Sequence, residues 1–206
     1  MALRDRDIGR AGRFLGFVLI ALVLLAILVP VGAFTFSVKV QGHSMEPTLE
    51  PGDRLFTNIL GRGDIDRFDV IEATVDGNKV VKRVIGVPGD RIVVRQRDRK
   101  PVVLLRPAGE KAWQEVVSDA WASQYGDRVG QKCCSADGVM ENRAKAFTVP
   151  DDHYWLIGDN WGGSDDSRVF GVVAADDIGA IMNRRIQPFS RMGTVDNPAS
   201  LQPVDD

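Results

Sequence analysis

Histidine and cysteine are almost missing from this chain of 206 residues, which holds two of each. His43 and His153 stand far apart, and the cysteines adjoin as Cys133-Cys134. That scarcity excludes a disulfide-built scaffold, a four-cysteine zinc site and a histidine-rich metal centre. No metal and no cofactor are therefore expected. Adjacent cysteines close only a strained disulfide, so two thiols, an intermolecular bond and a strained redox bridge all stay open. An excess of either charge is lacking too: 26 Lys and Arg face 28 Asp and Glu, for a net charge of -2. A sequence-independent nucleic-acid binder needs a basic surface, so no nucleic-acid partner is expected. With 44% hydrophobic and 26% charged residues, neither a disordered tail nor a collagen-like repeat fits.

What the chain does hold is one long run without charge, from Phe14 to Val38. Its centre reads FLGFVLIALVLLAILVPVGAF, residues 14 to 34. About 20 apolar residues in helix span a hydrocarbon layer of ~30 Å, so residues 14–36 are expected to cross the lipid bilayer. Pro30 falls near the far end, where a kink or a helix stop is tolerable. Arg4, Arg6, Arg10 and Arg13 precede the run, and only Lys39 follows closely. Basic residues stay inside, so residues 1–13 should be cytoplasmic and the rest extracytoplasmic, on a single-pass protein of the plasma membrane. Val31-Gly32-Ala33 resembles the cleavage site of a signal peptide, but the run is long for one. A buried core helix of this length, apolar all round, would be unusual.

The remainder reads as mainly β. Short runs rich in Val, Ile and Phe recur at 36–40, 54–58, 69–75, 79–87, 91–95, 101–105, 154–157 and 171–173. Gly, Pro and Asp punctuate them, which is the pattern of an antiparallel β-barrel or sandwich. Asp76-Gly77 is a hairpin signal, since that pair tolerates the positive φ angles of a tight turn. Pro88-Gly89-Asp90 marks another turn. The main β domain is expected over 37–95 and 147–187, with a small inserted β subdomain at 96–146. Within the insert, Trp113, Val116, Val117, Ala120, Trp121 and Tyr125 repeat at helical spacing, so a short amphipathic helix is expected over 112–125 with its tryptophans in the core. Residues 188–206 have little apolar content and are expected to be a flexible tail.

Three segments carry chemical information. The first, around Ser44, reads GHSMEPTL and then PGDRL. A serine hydroxyl is a poor nucleophile until a base lies within hydrogen-bond reach. His43 is adjacent, and on an extended strand neighbours point to opposite faces, so it should turn away from Ser44. The segment also fails the G-x-S-x-G elbow of α/β-hydrolases. His153 with Asp151 or Asp152 remains a conceivable base. The second segment is VVKRVIGVPGD, residues 80–90. There Lys82 stands among Val80, Val81, Val84 and Ile85. A lysine in apolar surroundings loses hydration, its pKa falls, and a neutral amine accepts a proton. An outward-facing lysine on an alternating strand is the competing reading. The third segment is GDNWGGSDDSR, residues 158–168. It lacks the EF-hand spacing, but Ser164 there can hydrogen-bond the amine of Lys82 while Asp166 and Arg168 form a supporting ion pair.

In that order, behind an N-terminal anchor, the three segments resemble the motifs of bacterial type I signal peptidases, the membrane-anchored Ser/Lys leader peptidases. The resemblance implies Ser44 as nucleophile and Lys82 as general base. It implies Ser164, Asp166, Arg168 and Arg83 as supporting residues, and an antiparallel β fold with a small accessory β domain. Val38, Val40, Met45, Leu49, Val80 and Val81 would line shallow pockets for Ala at positions one and three before the cut. Its expected partners are signal peptides of exported preproteins, with the secretion translocon close by. Two departures stand out. Some members carry a serine two residues before the nucleophile that completes the oxyanion hole, where this chain has Gly42. Many carry Arg-Asp-Asn where this chain has Trp161-Gly162-Gly163. Rival readings are a self-cleaving repressor of the DNA-damage response, an inactive membrane-tethered β module, and a peptidase dedicated to one pilin or conjugation substrate.

Overall fold

Apolar side chains in an unbroken run can satisfy their backbone only within the segment, and here they do so as one helix. In the computed structural model, which describes residues 2–97, 100–122 and 145–204, α1 runs from Ala2 to Thr35 with Pro30 inside it. Its apolar stretch Gly12–Gly32 has a mean hydropathy of 3.1, and none of it is buried by protein. At ~1.5 Å per residue those 21 residues span roughly 30 Å, the thickness of a hydrocarbon layer. The helix is therefore long and apolar enough to cross a membrane. It continues to Thr35, whose hydroxyl donates to the Val31 carbonyl at 2.8 Å. The chain divides into two compact units, Met1–Ser37 and Val38–Asp206.

The second unit is β. Strands β1 (Ser37–Lys39), β2 (Arg54–Asn58), β3 (Val70–Val75) and β4 (Asn78–Gly86) are followed by β5 (Arg91–Arg97), β6 (Lys100–Arg106) and β7 (Gln114–Ser118). Then come β8 (Phe147–Thr148), β9 (His153–Ile157), β10 (Val173–Ala174), β11 (Ile178–Gln187), β12 (Gly193–Thr194) and β13 (Ala199–Pro203). One sheet has the order β1-β2-β11-β3-β4-β9-β10, with β12 also on β11; the other has β13-β7-β6-β5-β8. Neighbours pair antiparallel, as at β3–β4, where Ile71 lies opposite Lys82 and Glu72 opposite Val81. The β3–β4 hairpin turns on Asp76 (φ 49°) and Gly77 (φ 76°), the conformation that Asp-Gly favours. Ile85, Trp155 and Ile157 of the first sheet join Ile92, Leu105 and Val116 of the second in one buried cluster. Burial of apolar area on both faces is what holds the sheets together.

Three expectations are corrected. Residues 188–206 do not form a flexible tail through their described part: β13 pairs with β7 along its whole length, from Ala199↔Ser118 to Pro203↔Gln114. An edge strand is held by its backbone ladder, so it needs little apolar content. In the described part of the helix expected over 112–125, Gln114–Ser118 is instead a strand, β7, and Asp119–Ala122 is a short helix, α2. Pairing with β6 and β13 on either side overrides the helical spacing. The longest strand among the described residues, β11, is not apparent in the sequence pattern. Its Arg184 and Arg185 interrupt the apolar pattern, and register shifts break its pairing with β2 and β3. The second sheet also exceeds the insert 96–146, since it takes in β5, β8 and β13. Cys133, Cys134 and Tyr125 lie outside the described residues.

Candidate active site

Ser44 sits in the loop that follows β1. Two of its neighbours tie the loop down: Met45 and Leu49 are buried among Val40, Leu55, Val70 and Met182. The Leu49 N–H donates to the Met45 carbonyl at 2.8 Å. Farther along, Arg185 of β11 donates to the Thr48 carbonyl at 2.6 Å and lies 3.0 Å from the Asp53 carboxylate. Before the serine, buried Val40 is tied to the far end of the loop, its N–H donating to the Asp53 carbonyl and its carbonyl accepting from the Gly52 N–H, both at 2.8 Å, so the loop is anchored on both sides of Ser44.

Lys82 is in the middle of β4, with β3 on one side and β9 on the other. It is 4% exposed, so the outward-facing alternative does not hold. Its Nζ lies 2.8 Å from Ser44 Oγ. Loss of hydration lowers the lysine pKa from its ordinary value of 10.5. The carboxylates of Asp166 and Asp165 act against that shift, and the Arg168 guanidinium adds to it.

The segment 158–168 folds onto this pair. Asp166 caps α3 (Ser167–Phe170) and its carboxylate collects four donors. Arg168 gives Nε and Nη2 at 2.7 Å each and its own N–H at 3.2 Å, and Gly158 gives its N–H at 3.0 Å. The Arg168 guanidinium lies over the Trp161 ring, 4.1 Å from its centroid. Trp161 in turn meets Trp121 edge-on at 5.1 Å. Trp161, the residue at one of the departures from the family pattern, therefore backs the Asp166–Arg168 pair. Ser164 is 1% exposed and packs on Gly158. A Cβ on Gly158 would come within 2.2 Å of Ser164 Oγ and 2.4 Å of the Ser44 carbonyl oxygen, so only glycine fits. Asn160 completes the junction: its N–H donates to the Ser44 carbonyl and its Nδ2 to the His43 carbonyl, both at 3.0 Å.

Arg83 belongs to a different network from Asp166 and Arg168. It faces Asp159 with two contacts, at 2.9 and 2.7 Å, both residues being buried. It also donates to the carbonyls of Phe68 at 2.8 Å and Asp196 at 3.1 Å. The pair joins β4, next to Lys82, to the turn 158–168, whose Asn160 holds the Ser44 loop.

A cleft of about 320 Å³ opens beside the serine. Val38, Val40, Met45, Val80 and Val81 line it with Ser44 and Lys82; Leu49 does not, being fully buried beneath the loop. At Gly42 a Cβ would meet nothing within 4 Å, so the position that departs from the family has room for a side chain. His43 is exposed and bonds Glu46 at 2.8 Å, and His153 Nδ1 pairs with the Asp151 carbonyl at 2.8 Å. No cluster of metal-ligating side chains occurs among the described residues. The resemblance gave Asp159 and Asn160 a structural part in this turn, which their contacts fit, whereas Gly158 and Glu72, which lines the cleft, carried no role in the sequence. A carboxylate inside the apolar run of β3 was the one available signal, for Glu72.

The family described as "Signal peptidase, peptidase S26" matches residues 13–186. A curated relative, "Signal peptidase I" of Streptococcus pneumoniae serotype 4, is 36% identical over 180 residues, covering 78% of this chain and 86% of its own. "Signal peptidase IB" of Staphylococcus aureus is 31% identical over 184 residues, covering 87% and 93%. A solved signal peptidase I from Enterococcus faecalis is 25% identical and covers 58% of this chain and 97% of its own, with a TM-score of 0.39. Similarity of this extent over most of the sequence means that the chain belongs to the signal peptidase family, peptidase S26, and is a serine endopeptidase.

Proposed function

We propose that this protein removes signal peptides from exported preproteins, with Ser44 as nucleophile and Lys82 as its general base. The observation that carries the reading is the 2.8 Å approach of a buried amine to the Ser44 hydroxyl. Neutral Lys82 takes the Ser44 proton as Oγ attacks the scissile carbonyl carbon. The Ser44 N–H faces the oxyanion that forms. Protonated Lys82 then gives its proton to the leaving amine, the C–N bond breaks, and an acyl-enzyme remains. Water attacks that ester as Lys82 accepts the water's proton; Lys82 then passes that proton to Ser44 Oγ as the acyl carbon–oxygen bond breaks, which restores the hydroxyl and the neutral amine. Ser164, Asp166 and Arg168 position the lysine, and Arg83 with Asp159 holds its strand.

The substrate lies extended along the cleft and borrows main-chain hydrogen bonds, with alternate side chains in pockets. The valines and Met45 leave shallow space, which favours Ala-X-Ala before the cut. The N-terminal helix anchors the enzyme in the plasma membrane with residues 1–13 in the cytoplasm and the β unit outside, in reach of the translocon. Ser44 follows the uncharged run by six residues, so at ~3.3 Å per residue it is within ~20 Å of the lipid surface along the chain.

The test is preprotein cleavage in detergent micelles. Ser44→Ala and Lys82→Ala each abolish cleavage and keep the native circular dichroism spectrum, whereas His153→Ala retains activity. Full activity in either of the first two would sink the Ser/Lys assignment, and an inactive, folded His153 variant would restore the histidine reading.

A further inference from the structure

The proposed mechanism gives no part to the stretch that follows β11. A single 3-10 turn, Phe189–Arg191, lies there, just beyond residues 13–186 over which the family matches. From this turn Arg191 Nη2 reaches Asp53 Oδ1 at 2.8 Å and Glu50 Oε2 at 2.9 Å. Both acids stand at the far end of the loop that carries Ser44. Asp53 is the hub of that end. Its carboxylate is 1% exposed, and its Oδ2 accepts the Glu50 N–H at 3.2 Å and lies 3.0 Å from Arg185 Nε. Its backbone carbonyl accepts the Val40 N–H, and Val40 lines the cleft beside Ser44. The two arginines are themselves joined, since Arg185 Nη1 donates to the Arg191 carbonyl at 3.2 Å.

We propose that Arg191 is a positioning residue for the nucleophile: through Asp53 it fixes the far end of the Ser44 loop, and with it the place of Oγ relative to Lys82. The inference rests on Ser44 being the nucleophile. Apolar packing does not hold this end of the loop. The buried cluster beneath it takes in Met45 and Leu49 but no residue of 50–53 or 187–191. Between Pro51–Asp53 and Gln187–Arg191 there is instead a cleft of about 450 Å³, which the Arg191 side chain crosses to reach Asp53. Arg185 secures Oδ2 from inside β11, and Arg191 secures Oδ1 from the outside. Without Arg191 that buried oxygen loses its donor, the carboxylate turns to find another, and the Asp53 backbone that holds Val40 turns with it. Lys82 is not displaced, because β4 is held separately by β3 and β9. β4 also supplies Val80 and Val81, one wall of the cleft, so substrate still binds. What suffers is the alignment of hydroxyl and amine, which is felt in the chemical step.

The experiment uses the full chain in detergent micelles and one Ala-X-Ala peptide, with each variant assayed below its melting temperature. Arg191→Ala lowers kcat about tenfold and leaves KM within about twofold of native. Arg191→Lys, which keeps a cation for Asp53, recovers most of the loss. Asp53→Asn is also slow, and adding Arg191→Ala to it costs nothing further, because the arginine acts through that carboxylate. A kcat for Arg191→Ala within about twofold of native overturns the inference. So does a loss that appears in KM alone, a loss that lysine does not relieve, or losses that multiply in the double variant. Ser44→Ala separates this from the reading beneath it. Native-like cleavage by that variant would defeat the nucleophile and the clamp together. An inactive Ser44→Ala beside a native-like Arg191→Ala would defeat the clamp alone.

Discussion

A lysine taken out of water is a weaker base and a readier one. Lys82, on β4 opposite Ile71 of β3, is buried, and that loss of hydration depresses its pKa below 10.5. The sign follows directly. In the proposed mechanism the reactive form is the neutral amine, so kcat/KM should rise with pH as Lys82 loses its proton, with the acid limb of the profile below the ordinary lysine value. Asp165 is exposed and its charge raises the lysine pKa, against the desolvation. Asp165→Asn therefore moves the acid limb to lower pH. A pH-rate profile of native and variant protein checks both statements, and a limb that stays put or moves upward in the variant would show that Asp165 does not act on the amine. At this scale the sequence was informative. The apolar neighbours of Lys82 pointed to desolvation, and the serine of the first motif met it. Distance was beyond it, because 38 residues separate the two and only the fold brings their tips together.

Elements position these side chains through close backbone contact. The turn 158–168 presses against the Ser44 loop: Asn160 donates to the Ser44 carbonyl, and Gly158 lies under both Ser44 and Ser164. Asp166 holds the Gly158 N–H and is itself gripped by Arg168. Gly158→Ala should therefore shift the turn away from Ser44. Activity should fall by roughly 100-fold, as misplacement by about 1 Å commonly does. Stability should fall by about 1–3 kcal/mol, the usual range for overpacking. Cleavage rates and thermal melts read the two effects. A variant with native kinetics would mean that the turn does not set the position of the serine. The polar residues of this turn were legible as residue types, and Gly158 was not. A glycine kept for lack of space looks like any turn glycine until the atoms opposite it are known.

Over the whole β unit, one sheet carries the site and the other backs it. Ile85 of β4 and Trp155 and Ile157 of β9 are buried against Ile92, Leu105 and Val116. The second sheet is closed at one edge by β13, which comes from the far end of the chain. Ending the protein after Pro198 keeps Asp196, whose carbonyl receives Arg83, and removes β13. That truncation should lower the melting temperature by roughly 5 °C, since about 1–2 kcal/mol is expected for the ladder and the buried Ala199, and 1 kcal/mol moves a domain of this size by about 2–4 °C. A free tail would leave the melting temperature unchanged. The truncated protein should also associate more readily, because β7 becomes an open edge.

Local pattern determined much of this protein. The uncharged run before Lys39 was enough for a spanning helix, because length and composition alone set whether a segment can cross lipid. Asp76-Gly77 was enough for its hairpin, because the turn depends on two residues' own φ angles. Tertiary structure decided what has partners distant in sequence. It made β7 a strand by placing β6 and β13 beside it, and β11 a strand by giving Arg185 a buried carboxylate at Asp53. It set Glu72 in the cleft, separated Arg83 from the Asp166–Arg168 pair, and brought a hydroxyl to an amine. Charges are buried only where the fold supplies their counterparts, and no stretch of sequence names a counterpart that lies a hundred residues away.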